Sequence, residues 1–286
     1  MQMPIRTHIF PMLSIVLLFL LAFTTSQGFA RQYTITGKTM GTFYSVKFIS
    51  MEKQSPDIWQ QRVDVRLKEV NARLSMYTPT SELSRFNHTP ANQPFKLSTD
   101  FYQVLLESQH LYQITTGAWD GTVKPLVDLW GFGTKNRSDT LPDPRQIQEA
   151  HAKTGFHKLT LANHLLTKKK ANITLDLGSI AKGYGVDAIA TSGNYRNFFE
   201  RDGQLFSHII DPKTGFPVGN KVVSTSVIAE NCTIADGLAT ALMVMEVQKG
   251  IDLVNSLANT ECLIIQKQGN GFISTQSDRF EAFEKK

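Results

Sequence analysis

The sequence predicts an α+β fold in which mixed sheets pack against helices, and three observations predict it. Apolar residues recur at helical spacing over residues 59–74 and again over 101–112. Short runs rich in β-branched and aromatic residues, bounded by Gly, Asn and Asp, mark strands at both ends and in the middle of the chain. Helices and strands then alternate without the strict β-α-β rhythm of a doubly wound sheet. With 286 residues, 41% hydrophobic and 19% charged, the chain is long enough to bury a core.

Taken in order, residues 1–30 are set aside from the fold. Arg6 and His8 precede an apolar run over 9–23, and in Gly28-Phe29-Ala30 the outer two supply small residues where a signal peptidase reads. The expectation is a secretory signal, with an uncleaved anchor as the alternative. The run is short of the ~20 residues a membrane span needs, and no Cys follows it to carry a lipid. Residues 31–286 are expected to form one domain. It opens with Tyr33 and Ile35 in a strand, a Gly-bounded turn in GKTMGT, and a second strand over 43–49. Ser55 and Pro56 announce a helix carrying Trp59, Val63, Leu67, Val70 and Leu74 on one face. Ser98 caps a second helix over 99–116, with Phe101, Val104, Leu105, Ser108, Leu111 and Tyr112 inward and Gly117 as its stop. A third starts at Asp143 and Pro144 and ends near Gly155. Strands are expected over 157–161, 165–167 and 173–177, then 222–229, helices over 233–245 and 248–257, and a strand over 261–266.

The net charge of +5 is mild and scattered apart from Lys168, Lys169 and Lys170. A triplet beside a hairpin is a solvated edge, so nucleic-acid binding is not expected. Cys232 and Cys262 match no metal or redox spacing. In an exported chain they are either one disulfide or two buried thiols. P-loop, HExxH, GxSxG and CxxC motifs are absent. The G-x-G-x-x-A run at 183–188, with Asp202 downstream, lacks the strand-helix-strand context of a dinucleotide fold.

Four stretches carry chemistry. TTGAWDGTVKPLVDLWGFG (115–133) mixes Asp120 and Asp128 with Gly, Pro and two Trp, and reads structurally as a packed loop in which Asp120 bonds its own turn. In LDLGSIAKGYGVD (175–187), Asp176 ends an apolar run and Ser179 to Lys182 begin a helix. That is either a simple cap or an anion site of helix N-terminal N–H groups with Lys182. SHIIDPKTGFPVG (207–219) is a strand carrying His208 into an Asp-Pro turn. In TIADGLATALMVM (233–245), Asp236 and Thr240 stand four apart, so their oxygens share a helical face. Thr233 with Asp236 resembles a capping box, while the pair with Thr240 suits a hard cation beside phosphate.

Together these blocks resemble the ApbE-like FAD:protein FMN transferases. The resemblance runs from GKTMGT through SMYTPTSELSRFN, TTGAWDGTVKPLVDLWGFG, LDLGSIAKGYGVD, SGNYRNFFERDG and SHIIDPKTGFPV to ADGLATAL. It implies the T-fold-related flavin transferase architecture, export to the periplasm with or without attachment to the inner membrane, and binding of FAD and Mg²⁺. It also implies transfer of FMN from FAD to a Thr or Ser hydroxyl of a partner, with release of AMP. The partners implied are flavin-acceptor subunits of membrane redox complexes. By position, the resemblance assigns FAD contacts to Met40, Tyr77, Ala118, Trp119, Asp120, Asp176, Lys182 and Ile210, with Trp119 where Phe is usual. It assigns the metal to the Ser179 backbone oxygen, the Asp236 and Thr240 side chains and the Ala239 carbonyl, and the catalytic base to His208. Water in place of the acceptor hydroxyl would make the same site an FAD pyrophosphatase.

One departure stands out. In the family a longer helix, a strand with an acidic glycine-rich motif, a loop and another strand precede the SGNYRNFF block. Here Ala190 runs straight into Thr191, and several tens of residues of the central sheet region are expected to be missing. Each orphaned buried polar group costs ~1–3 kcal/mol, against a net stability of only ~5–15 kcal/mol. The expectation is a chain that keeps its site residues but folds incompletely or binds FAD weakly, with a non-enzymatic remnant as the limiting case.

Overall fold

Strands β1 (Arg31–Thr39) and β2 (Thr42–Ser50) form an antiparallel hairpin in register from Arg31 opposite Ser50 to Thr39 opposite Thr42. The computed structural model of the protein describes residues 31–50, 55–133, 141–188, 198–201, 204–269 and 271–284. The two-residue turn holds Met40 at φ +48° and Gly41 at φ +73°, as a type I′ turn requires. A bulky residue in that region is uncommon, and it aims Met40 at the helices below. Ile35 is buried against Val63 and Leu67 of α1 (Pro56–Leu74). Pro56 occupies the first helical turn as expected, although the Ser55 side chain makes no capping bond.

A short α2 (Glu82–Asn87) follows, capped by the Ser81 side chain, then β3 (Phe95–Lys96) and α3 (Thr99–Ile114). Ser98 accepts from the Phe101 N–H, and Thr116 and Gly117 take positive φ to end α3. Within the segment read as a loop lies α4 (Lys124–Leu129). Next, α5 (Pro144–His151) starts on a full capping box between Asp143 and Gln146. A 3₁₀ turn (Phe156–Lys158) leads into β4 (Leu159–Ala162) and β5 (Leu165–Lys168), which join β3 in the order β3-β5-β4.

Residues 173–177 correct the strand expectation. Ile173, Leu175 and Leu177 are buried in alternation, yet among the described residues the segment pairs with no strand. Its backbone is held by other groups: Leu175 exchanges both its N–H and its C=O with the Asn87 side-chain amide, and the Asp176 N–H donates to the Gly121 carbonyl. From it springs α6 (Gly178–Asp187). The Ala190–Thr191 join lies outside the described residues, as does the expected signal over 1–30.

Beyond the join come the hairpin β6 (Phe198–Arg201) and β7 (Gln204–Ser207), then β8 (Val222–Ile228), α7 (Cys232–Val244), α8 (Val247–Ser256), β9 (Glu261–Gln268), β10 (Gly271–Gln276) and α9 (Glu281–Glu284). The sheet β10-β9-β8 is antiparallel throughout. His208 follows β7 rather than riding on it. The main core unites Val70, Phe86, Phe101, Trp119, Leu175, Leu177 and Leu238, so α1, α2, α3, α6 and α7 close on one another around the 115–122 and 173–177 segments. Cys232 and Cys262 are free thiols, the first half-buried and the second buried. No helix among the described residues is long and apolar enough to cross a membrane.

Candidate functional site

The site is built where α6 meets the start of α7. Gly183 permits the approach: a methyl group there would overlap the Cys232 carbonyl oxygen and lie 2.9 Å from Asp236 Cβ. Asp187 closes the same junction from the other end of α6. Its carboxylate accepts from the Cys232 N–H at 2.7 Å, the Thr233 N–H at 2.7 Å and the Thr233 hydroxyl. The capping box expected from Thr233 and Asp236 is therefore absent. Asn231 caps α7 by accepting from the Ile234 N–H, and Thr233 turns to Asp187 instead. This frees Asp236 from a local role.

Asp236 Oδ2 accepts from the Gly183 N–H at 3.0 Å, and Lys182 Nζ stands 3.6 Å away. Its Oδ1 makes no hydrogen bond among the described residues. Burial pushes this carboxyl above the usual range, and Lys182 and the Gly183 N–H oppose that only in part. A half-buried, desolvated carboxylate with an oxygen to spare and too little positive charge is a place where a cation stabilises the ionised form. The Gly183 N–H would in a regular helix bond the Ser179 carbonyl four residues back. Drawn toward Asp236, it shares or releases that oxygen. Thr240 donates its hydroxyl to the Asp236 carbonyl at 3.2 Å, leaving the lone pairs of its oxygen available. These three oxygens fit a hard cation. The Ala239 carbonyl fits less well, because the Thr225 hydroxyl already donates to it at 2.9 Å. No cluster of three or more His, Cys, Asp and Glu side chains stands among the described residues, so Asp236 would be the one carboxylate in such a set.

The 115–133 segment forms the opposite wall. Trp119 is buried, and its indole N–H donates to Ser179 Oγ at 3.0 Å, across sixty residues of sequence. Asp120 confirms its structural reading: Oδ1 accepts from the Thr122 N–H and hydroxyl at 2.8 and 2.7 Å, and Oδ2 accepts from the Phe156 N–H at 3.2 Å. Burial raises its carboxyl all the same. Ala118 is buried beside them. Asp176 Oδ1 accepts from the Gly178 N–H at 2.8 Å and so starts α6. Burial raises this carboxyl first and the charge of Asp128 adds to that, while the Gly178 N–H, Lys124 and Lys182 oppose. Lys182 itself donates to the Gly178 carbonyl at 2.6 Å, holding its ammonium over the first turn of α6.

Tyr77 is 69% exposed. Its hydroxyl is raised by desolvation and by the charges of Asp176 and Asp128, which places it on the same rim. Met40 reaches α6 from the β1-β2 turn, so that a Cβ added at Gly185 would come within 3.2 Å of its Cε. Ile210 bridges to Pro217 and packs with Leu126, Val127 and Trp130 around α4. His208, two residues earlier, is half-buried with its ring 6.5 Å from that of Phe132. The structure thus joins Asp176, Ser179, Lys182, Asp236 and Thr240 with Trp119 in one junction. Met40 and Tyr77 stand at its margin, and His208 and Ile210 on the neighbouring α4 arm.

Sequence reasoning missed three contributors. Lys124 pairs with Asp128 at 2.6 Å across one turn of α4, an i, i+4 spacing visible once a helix is assigned there. Asp187 and Asn87 act over 46 and 88 residues of sequence and carry no local signal.

With this geometry established, comparison with known proteins gives a consistent result. A family model described as the ApbE family matches residues 40–190 and 187–264. A curated FAD:protein FMN transferase of Vibrio cholerae is 36% identical over 316 residues, covering 89% of this chain and 93% of that protein. One from Haemophilus influenzae is 32% identical over 326 residues, covering 91% and 94%. Among solved structures, the flavin transferase ApbE from Vibrio cholerae superposes with a TM-score of 0.80 at 34% identity, covering 88% of this chain and 99% of that one. The apo form of the Pseudomonas stutzeri flavinyl transferase ApbE gives 0.80 at 29%, covering 88% and 96%. Two features bear on the join at Ala190: the family match divides there, and an alignment of 316 residues is longer than the 286-residue chain itself.

Proposed function

This chain belongs to the ApbE family, and from that premise we propose that it transfers FMN from FAD to a Thr or Ser hydroxyl of an acceptor protein, with Mg²⁺, releasing AMP. The family makes the protein a flavin-transferring enzyme that acts on a flavin-accepting partner. The observation that carries the finer reading is Asp236, a half-buried carboxylate with one oxygen unbonded among the described residues, beside Lys182 and the first turn of α6.

Ser179 through its carbonyl, Asp236 and Thr240 would hold the metal. A bound Mg²⁺ supplies positive charge against the diphosphate and the departing AMP. Lys182 and the Ser179 N–H bind the phosphate oxygens at the N-terminal end of α6, a helix of ten residues whose dipole is positive there. Trp119 locks Ser179 and fixes the direction of that first turn. Tyr77 and Met40 border the flavin side. His208 accepts the proton of the acceptor hydroxyl as its oxygen bonds to the FMN phosphorus and the bond from that phosphorus to the bridging oxygen breaks. The released AMP carries away the bridging oxygen. Positioning and charge supply most of the rate in such transfers.

The export reading rests on residues 1–30 and places the enzyme in the periplasm, where acceptor subunits of membrane redox complexes expose their flavin sites. Purified protein incubated with FAD and Mg²⁺, with and without an acceptor, tests the whole. Acceptor-dependent AMP release with in-gel flavin fluorescence on the acceptor is expected, lost on chelation and in His208→Asn. AMP release at the same rate without acceptor overturns transfer in favour of hydrolysis, and unchanged FAD overturns both.

A further inference from the structure

The SMYTPTSELSRFN block holds a residue that no step above uses. Asn87, half-buried at the last position of α2, points its amide at the 173–177 segment. Its Oδ1 accepts from the Leu175 N–H at 2.8 Å, and its Nδ2 donates to the Leu175 carbonyl at 2.9 Å. A neighbouring strand would offer the same pair of bonds to one residue of an antiparallel ladder. This single side chain stands in for a partner strand, which the segment lacks among the described residues. Lys168, expected on a solvated edge but in fact wholly buried, completes the bracket: its ammonium donates to the Asn87 carbonyl at 2.9 Å and to the Ile173 carbonyl at 3.1 Å.

The next residue after Leu175 is Asp176. Its N–H is held by Gly121 at 2.8 Å, and its carboxylate starts α6 through Gly178. Any shift at Leu175 therefore passes within one residue to Asp176 and within one turn to Ser179 and Lys182. We infer that Asn87 is a positioning residue for FAD binding: its amide sets the height of Asp176 and the first turn of α6 against the nucleotide. The inference rests on the reading that Asp176 and Lys182 meet FAD.

Asn87→Asp keeps the acceptor for the Leu175 N–H but turns an oxygen on the Leu175 carbonyl. Asn87→Ser removes the Nδ2 donor without adding charge and serves where the first variant folds poorly. FAD affinity is read by quenching of flavin fluorescence, together with KM and kcat. Asn87→Asp is expected to weaken FAD binding about tenfold and Asn87→Ser about threefold, through KM, with kcat within about twofold of the parent. Faster amide hydrogen exchange over 173–178 accompanies it. A merely structural role lowers the folded fraction, and so the apparent kcat, with KM unchanged; that result overturns the inference. Lys182→Ala separates the two readings. If it weakens FAD binding while both Asn87 variants bind normally, the positioning role is wrong. If it leaves binding unchanged while Asn87→Asp raises KM, the assignment of Lys182 fails and the positioning role stands. If none of the three changes affinity, both are wrong.

Discussion

Replacing Gly183 by Ala tests whether the α6–α7 approach is the foundation of the site. The added methyl would overlap the Cys232 carbonyl oxygen and lie 2.7 Å from its carbonyl carbon and 2.9 Å from Asp236 Cβ. None of these atoms can rotate away, so relief needs the helices to part by roughly 1 Å. Overpacking of this kind costs about 1–3 kcal/mol. The bond from the Gly183 N–H to the Asp236 carboxylate, about 1.5–3 kcal/mol when charge-assisted, weakens as they separate. Helix propensity favours Ala over Gly by up to ~1 kcal/mol. The net loss is about 2–4 kcal/mol, a fall of roughly 4–8 °C in Tm for a chain of this size. Gly185→Ala is the matched control on the same helix. There the new methyl meets only Met40 Cε at 3.2 Å and Sδ at 3.5 Å and Leu67 Cδ2 at 3.6 Å, which are ends of flexible side chains, so propensity decides and the change is neutral or stabilising by up to ~1 kcal/mol. Thermal melts in chelator followed by Mg²⁺ titration read both effects. A Gly183→Ala protein that melts at or above the parent, with its Mg²⁺ response intact, refutes the reasoning.

Three further outcomes follow from named bonds. Asp187→Ala orphans the Cys232 and Thr233 N–H groups at the start of α7 and should cost about 1–2 kcal/mol in a denaturant melt, with Asp187→Asn recovering part of it. Asp100 is held below the usual carboxylate range by the Arg66 guanidinium foremost, and also by the Tyr184 hydroxyl. Its contribution is therefore present above its unfolded value near 3.9 and lost as pH falls through the lower folded value; Asp100→Asn should destabilise by about 1 kcal/mol at pH 7 and much less near pH 2. Asp236 has the opposite sign: its folded value is raised, so it weakens the metal-free fold increasingly as pH rises above ~4. Asp236→Asn should accordingly melt at or above the parent in chelator at pH 7 yet gain nothing from Mg²⁺, which calorimetric scans with and without the metal will show.

The elements that sequence pattern located share one property: their signals are local. Helix α1 shows its buried face in Val63, Leu67, Val70 and Leu74, and α3 adds the Ser98 cap. Residues 173–177 show a buried alternation identical to that of a strand, but periodicity reports burial and not the partner. That partner is a side chain 88 residues away. The capping box at Thr233 failed for the same reason, since a carboxylate on another helix outcompeted the local one. Strand β10 escaped notice because its side chains are mostly exposed and polar alternation is weak in it. At the site, the spacing of Asp236 and Thr240 revealed a shared helical face, whereas the pairing of Trp119 with Ser179 exists only in the folded chain.

The join between Ala190 and Thr191 divides the family match, yet the contacts that build the site reach across it. Asp187 precedes the join and caps α7 beyond it, and Gly183 precedes it and bonds Asp236 beyond it. What a missing segment removes is the pairing of sheet edges, at ~1–3 kcal/mol for each buried group left without a partner. What the α6–α7 junction supplies is cohesion between the parts on either side. If that cohesion prevails, the two parts unfold together, because neither can leave without orphaning the N–H groups and carboxylates at the junction. Calorimetry of the intact protein should then show one transition, and Gly183→Ala should lower that transition as a whole. Two transitions in the parent protein, only the lower of them moved by Gly183→Ala, would mean that the shortened chain has come apart at its join.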